Sequence, residues 1–275
     1  VSMERVRITA TSTGKVPNTS PTAASSGSDL NGMAALNAAR EIKNRMAEFL
    51  SETRGVSADL VRFVDDHVVV GNERLSFGEV ARAAHQARIH LSQAGFYKTP
   101  KVVWDRANAK GRPFYYFSYG AACSEVSIDT LTGEMKVERV DILHDVGRSL
   151  NPALDIGQIE GAFVQGMGWL TTEELVFDAK GRLRTHAPST YKIPVASDIP
   201  AAFNVALFDG QNQEETVYRS KAVGEPPLMH GISVFAAILN AIASLKPGAD
   251  VPLDAPATPE QILKAVQALG GGGGF

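Results

Sequence analysis

A glycine-rich helical segment at residues 155–170, DIGQIEGAFVQGMGWL, constrains the fold more than any other part of the sequence. Its apolar residues recur at helical spacing, although four of its positions are glycine. Glycine inside a helix costs up to about 1 kcal/mol relative to alanine, so this composition predicts that something packs closely against the helix. One side of the predicted helix is polar and nearly flat, and it consists of Gln158, Gly161, Gln165 and Gly168. Close helix packing explains the glycines, whereas buried amides need polar partners that a ligand could supply.

The other segments predict helices and clustered strands. We expect one helix to begin at Asp29, acting as its N-cap, and a second to begin at Ser76, in a Ser-x-x-Glu capping box, and end at Gly95. A buried helix is expected at residues 231–245 and a last one after Thr258. Strands are expected at residues 6–9, 67–70, 73–75, 114–119, 124–129 and 136–143, and a further hairpin at residues 175–184. The middle strands predict an antiparallel meander, and the whole pattern predicts an α+β fold of mixed helices and antiparallel sheets.

Composition excludes several classes of partner. The chain has 275 residues, 44% of them hydrophobic, and a net charge of −3, which predicts a globular protein with no affinity for nucleic acid. Its longest apolar stretch is shorter than the ~20 residues that a membrane-spanning helix needs, so no membrane partner is expected. The single cysteine, Cys123, cannot form an internal disulfide, and the sequence shows no signal-peptide pattern, so we expect a cytoplasmic location.

Two segments could carry a functional site. The first is a loop rich in Ser, Thr, Pro and Ala at residues 15–28, which runs into a predicted helix N-terminus where an anion such as a phosphate could approach the backbone. A plain linker would have a similar composition. The six histidines never occur at metal-ligand spacing, so the sequence predicts no metal site made of protein ligands.

The second segment contains Glu225, the best acid–base candidate in the chain. Two prolines follow it, and its apolar neighbours would disfavour the charged form of the carboxyl group, which would suit it to proton transfer. The alternative is a structural glutamate that pairs with Lys221 or caps a helix. Two features nearby are weaker candidates: His230, which follows this segment, and residues 145–148, which close a predicted strand and could form the edge of a site.

At these same segments the chain resembles the molybdenum-binding region of the xanthine dehydrogenase and aldehyde oxidase family. The resemblance covers nearly the whole chain, and the last of its stretches is closer to the xanthine dehydrogenases. These stretches are VPNTSPTAAS (16–25), YFSYGAACSEVSID (116–129), DVGRSLNPALDIGQIEGAFVQGMG (145–168), PSTYKIP (188–194) and SKAVGEPPL (220–228). The resemblance implies the C-terminal part of a molybdenum-cofactor-binding region, with sub-lobes at about residues 1–145 and 146–275.

The resemblance also implies a reaction and its residues. It implies an oxidoreductase that hydroxylates hypoxanthine and xanthine to urate, with oxygen from water and a molybdenum–molybdopterin cofactor whose pterin holds the metal. Glu225 matches the family's catalytic glutamate, a general base that removes the proton from the attacking hydroxyl. Gln158 matches a glutamine that contacts the pterin. The cofactor loop of the family corresponds to Ala24, Ser25, Ser26 and Ser28.

Parts of the family pattern are missing from the chain. The N-terminal share of the molybdenum region, which grips the purine, has no counterpart, nor do the [2Fe-2S] and FAD modules that pass electrons on to NAD. The resemblance therefore implies partners: the remainder of the molybdenum subunit, and iron–sulfur and FAD domains or chains, in an assembled enzyme expected to be a dimer. Two alternatives stay open at this point, a related enzyme that oxidises aldehydes or other N-heterocycles, and a non-catalytic fragment.

Overall fold

The structure, a computed structural model, describes residues 1–10, 12–14 and 22–270. The chain forms two compact units, Val1–Asp105 and Arg106–Phe275, and each is described here by itself. This division lies well before the boundary expected near residue 145. The reason is a sheet in which a strand ending at His144 pairs with the strand Ala202–Leu207, so that residues on both sides of position 145 share one unit.

Five α-helices and eight strands occur in the described part of the chain. The helices are α1 (Gly27–Arg54), α2 (Phe77–Gln86), α3 (Pro152–Thr171), α4 (Ile232–Ala243) and α5 (Pro259–Ala268). The strands are β1 (Arg62–Val64), β2 (His67–Val70), β3 (Glu73–Ser76), β4 (Val103–Asp105), β5 (Lys110–Arg112), β6 (Gly120–Ile128), β7 (Met135–His144) and β8 (Ala202–Leu207). A short 3₁₀-helix at Pro226–Gly231 leads directly into α4. The α+β class is confirmed.

The first unit packs α1 and α2 against a small antiparallel sheet, β1-β2-β3. Its core contains Met46 and Leu50 from the C-terminal half of α1, together with Val68 of β2 and Val80 of α2. The predicted hairpin of β2 and β3 is present, with His67 opposite Ser76. The predicted capping box is also present, because the Glu79 amide donates to the Ser76 hydroxyl and the Ser76 amide donates to the Glu79 carboxylate.

Three expectations for this unit differ from the structure. The helix α1 begins at Gly27 with Ser26 in the N-cap position, so Asp29 lies in the first turn and is not the cap. The helix α2 ends at Gln86 and not near Gly95, because the chain adopts a positive φ of 63° at Arg88 and leaves the helical path. Residues 6–9 lie outside any strand.

The second unit is organised around a mixed three-stranded sheet, β6-β7-β8. The strands β6 and β7 are antiparallel, with a register shift between Glu125 and Val126, whereas β8 runs parallel to β7. The prediction of an antiparallel meander is therefore wrong in its first strand, because residues 114–119 precede β6 as irregular chain. The predicted hairpin at residues 175–184 is reduced to a single bridge between Phe177 and Leu183.

Helices α3, α4 and α5 share one hydrophobic core with this sheet. Fully buried members of the core include Val140 of β7, Phe163 of α3, Ile238 of α4 and Ile262 of α5. By length and composition alone, the 18 residues of Pro226–Ala243 could also cross a membrane. The core helices of globular proteins pass the same test, and the burial of Ile238 agrees with the predicted buried helix.

Candidate functional site

The small-residue loop of the first unit is described from Thr22 onward, and residues 15–21 of the predicted loop lie outside the described residues. Ala24 and Ser25 both adopt positive φ values, 53° and 51°, which residues other than glycine rarely adopt. The Ser26 hydroxyl donates to the carbonyl of Ala23 at 2.8 Å, and the helix follows at once. Ala24 and Ser25 thus lie in a tight turn, and Ser26 and Ser28 lie at the N-cap and in the first turn of α1.

The face of α3 that the sequence singles out is open. Gln158, Gly161 and Gln165 are all exposed, and a Cβ added at Gly161 would meet no atom within 4 Å. Trp169 continues this face and is 54% exposed. The fourth predicted member, Gly168, is buried instead, with its missing Cβ directed at the ring of Pro194. The two amides therefore face outward and are not buried.

The opposite side of α3 explains why this helix needs glycine. A Cβ at Gly166 would lie 2.1 Å from the carbonyl oxygen of Leu228, and a Cβ at Gly231 would lie 2.4 Å from the carbonyl carbon of Gly166. Backbone therefore packs on backbone where α3 meets the 3₁₀-helix Pro226–Gly231. The prediction of close packing is correct for this side of the helix, and this contact holds the segment that follows Glu225.

Glu225 lies at the N-cap of the 3₁₀-helix, and its carbonyl accepts a 3.0 Å hydrogen bond from the Leu228 amide. Its side chain is exposed, contrary to the apolar setting that the sequence predicts. The neighbouring apolar residues turn the other way, because Pro227 is buried and Val223 packs against the core. Within the described residues of this unit, the carboxylate is therefore presented on the surface of a rigid backbone.

The ammonium group of Lys221 is paired with Asp145 at 2.6 Å. Both side chains are largely buried, at 8% and 14% exposure. Sequence reasoning considered Asp145 only as part of a possible site edge and missed this pair. The signal was present in part, since Asp145 directly follows a predicted strand, but no local pattern indicates that the chain returns to this point at Lys221.

A second buried polar pair lies close to the segment that carries Glu225. His144 Nδ1 and His230 Nε2 are 2.9 Å apart, and the two rings meet edge to face. Burial, and secondarily the charge of His230, lowers the pKa of His144 to about 4, while burial lowers the pKa of His230. His144 Nε2 is buried and has no hydrogen-bond partner among the described residues. His230 is therefore a buried histidine that is hydrogen-bonded to His144.

The predicted site residues fall in both units. Ala24, Ser25, Ser26 and Ser28 belong to the first unit, and Gln158 and Glu225 to the second. Within residues 1–10, 12–14 and 22–270, no group of three or more His, Cys, Asp or Glu side chains could hold a metal ion.

Comparison with known proteins places the chain in a family. A family model described as "Molybdopterin cofactor-binding domain" matches residues 1–200. The chain belongs to the molybdopterin cofactor-binding domain family. It is 47% identical to a xanthine dehydrogenase/oxidase of Gallus gallus over 265 residues, and 45% identical to a xanthine dehydrogenase of Oryza sativa subsp. japonica over 276 residues.

These alignments cover 95% and 96% of the chain but only 18% and 19% of the two relatives, so the chain spans about a fifth of their length. Among solved structures, a Cu,Mo-CO dehydrogenase is similar with a TM-score of 0.77 and 22% identity, over 94% of the chain and 31% of that protein. Quinoline 2-oxidoreductase from Pseudomonas putida 86 gives a TM-score of 0.75 and 22% identity over 90% of the chain and 30% of that protein. At these identities the solved structures show the fold alone.

Proposed function

We propose that the chain is part of a xanthine dehydrogenase, in which it helps to hold the molybdenum cofactor and supplies the catalytic base. The observation that carries the proposal is the 47% identity over 95% of the chain to a protein named xanthine dehydrogenase/oxidase, combined with an exposed Glu225 on a rigid backbone. The proposed reactions are hypoxanthine to xanthine and xanthine to urate, with oxygen from water.

The chemistry of the exposed groups fits a pterin cofactor. Gln158 and Gln165 present amide donors and acceptors on an open helix face, and Gly161 keeps that face flat. Such a surface matches the ring nitrogens and carbonyl of a pterin, which need both kinds of partner. In the first unit, the turn at Ala24 and Ser25 precedes a 28-residue helix whose N-terminus favours an anionic group such as a phosphate.

The proposed roles follow from these positions. Gln158 would hydrogen-bond the pterin, while Ala24, Ser25, Ser26 and Ser28 would contact the cofactor through backbone amides and small side chains. The bound cofactor would supply the redox chemistry. Glu225 would accept the proton of the attacking hydroxyl at a carboxylate oxygen, and the prolines after it would restrict the backbone that carries its side chain.

The rest of the enzyme would lie outside these residues. We expect the remainder of the molybdenum subunit to bind the purine, and [2Fe-2S] and FAD groups on other domains or chains to carry electrons to NAD. The dimeric assembly and the cytoplasmic location remain predictions of the same kind.

The test uses the assembly purified from its native source. Molybdenum and pterin should be present in stoichiometric amounts together with further polypeptide, and xanthine should be oxidised faster than aldehydes or quinoline-type heterocycles. Preference for one of the latter would favour a related hydroxylase, and a metal-free assembly would contradict the proposal.

The role of Glu225 is tested by Glu225→Gln in that assembly, with Glu260→Gln as the matched control. Glu260 is an exposed carboxylate of α5 that pairs with Lys264 in the next turn, so its loss should be silent. Glu225→Gln should abolish turnover while molybdenum content stays within about a tenth of the parent. Loss of metal together with activity would show that Glu225 is structural.

A further inference from the structure

The segment that leads to Glu225 is held at consecutive backbone positions by two other parts of the second unit. The Lys221 amide donates to the Val146 carbonyl at 2.7 Å, and Ser220 forms a bridge with Gly147. One residue later, the Ala222 amide donates to the Tyr116 hydroxyl at 2.8 Å. These contacts fix the path of the chain three to five residues before the carboxylate.

The side chain of Lys221 determines where this path is fixed. Its ammonium group donates to Asp145 at 2.6 Å and to the carbonyl of Phe117 at 2.9 Å, and it lies 5.0 Å from the ring centre of Tyr119. An ammonium group that is 8% exposed needs such partners, because a buried charge without them is strongly unfavourable. A shift of the segment by one residue would remove all three contacts together.

Asp145 is itself held in place on both sides of its Cα. Its Oδ1 atom accepts the Gly147 amide at 2.8 Å, and its own amide donates to the Tyr119 carbonyl at 2.8 Å. Neither member of the pair can therefore follow the other if the segment moves, so the ion pair acts as a fixed point.

Little freedom remains between this fixed point and Glu225. Val223 packs against the hydrophobic core, and Gly224 is the only residue left before the carboxylate. Beyond Glu225, two prolines and the contact of Gly166 with Leu228 hold the chain again.

We propose that Lys221 and Asp145 are positioning residues for Glu225: their buried ion pair sets the place from which the carboxylate takes its proton. This inference depends on the proposed role of Glu225. The two side chains are paired with each other, and Lys221 lies four positions before Glu225 on a fixed backbone, so we infer that they act through that backbone.

The test compares Lys221→Met with Lys264→Met in the assembled enzyme. Methionine keeps the unbranched stem of Lys221 but removes its charge, whereas Lys264 belongs to an exposed ion pair of α5. For Lys221→Met we expect faster hydrogen exchange of the amides at 221 and 222. We also expect kcat to fall by up to about 100-fold, the loss that a misplacement of about 1 Å can cause. KM and molybdenum content should stay near the parent values, and Lys264→Met should change none of these quantities.

A milder variant, Asp145→Asn, keeps the reasoning testable if Lys221→Met does not assemble. In Asp145, Oδ2 binds the ammonium group and Oδ1 binds the Gly147 amide, and asparagine keeps only one of these two acceptors. The contacts of the ammonium group with the Phe117 carbonyl and the Tyr119 ring remain, so we expect a smaller fall in kcat with an intermediate rise in exchange. Unchanged kcat despite faster exchange in either variant would overturn the inference, and so would molybdenum loss in proportion to activity. If Glu225→Gln itself stays active, the proposed function fails. If Glu225→Gln is inactive while Lys221→Met is fully active, only the positioning role fails.

Discussion

Replacing Gly166 by alanine tests whether close backbone packing outweighs helix propensity in the stability of the second unit. The added Cβ would lie 2.1 Å from the Leu228 carbonyl oxygen, more than 1 Å inside an ordinary contact, and that oxygen belongs to backbone that cannot rotate away. Overpacking of this kind costs about 3 kcal/mol, while alanine returns about 1 kcal/mol of helix propensity. We therefore expect a net loss of about 2 kcal/mol in the free energy of unfolding.

Gly161→Ala is the matched control, since it makes the same chemical change on the same helix at a position where the new Cβ meets nothing. It should stabilise the unit by up to about 1 kcal/mol, so the two variants should differ by about 3 kcal/mol. Urea unfolding of the 275-residue chain, followed by the fluorescence of Trp169 in a Trp104→Phe background, reports on the second unit. Equal midpoints for Gly166→Ala and Gly161→Ala would refute the packing argument.

Two further predictions concern pH and capping. The unfolded chain protonates His144 near pH 6.5 but the folded chain only near pH 4, so stability should be complete above pH 6.5 and fall as the pH drops through this window. The loss should reach about 3 kcal/mol, measured by urea unfolding at several pH values, and replacing His144 and His230 together by leucine should flatten the dependence. In the first unit, Ser76→Ala should cost about 1 kcal/mol by removing the hydroxyl that accepts from the Glu79 amide. An unchanged thermal midpoint of that unit would contradict the capping role.

Local capping signals predict two helix starts correctly, those of α2 and α5. The capping box at Ser76 and the Thr258-Pro259 start of α5 are correct because each depends on a side chain that bonds to a backbone amide three residues away. The end of α2 near Gly95 is wrong because the chain leaves the helix at Ala87, where no glycine marks the exit. Backbone conformations of this kind are stabilised by tertiary packing, which a local pattern does not contain.

Sequence reasoning fails mainly for pairings between segments that are distant along the chain. The strand β8 pairs in parallel with β7, although almost 60 residues separate the two strands, and no local pattern indicates this pairing. The expected strand at residues 114–119 fails for a related reason. Its Phe117 carbonyl accepts from the Lys221 ammonium group, so part of its backbone is bound to the segment before Glu225.

The glycines of α3 show how far spacing alone can predict a site. All four have the same cost in a helix, but Gly166 and Gly168 are required by neighbours, while Gly157 and Gly161 face open space. Sequence reasoning explained all four glycines by close packing against the helix, although they lie on two separate surfaces of α3. In the structure, the packed surface contacts Leu228 and Gly231, in the segment that follows Glu225, and the open surface carries the amide of Gln158. The roles proposed for Glu225 and Gln158 therefore predict different effects for the two surfaces. A substitution on the packed side should alter the reaction rate through the position of Glu225, whereas one on the open side should alter cofactor content. Measuring both quantities for each variant distinguishes the two surfaces.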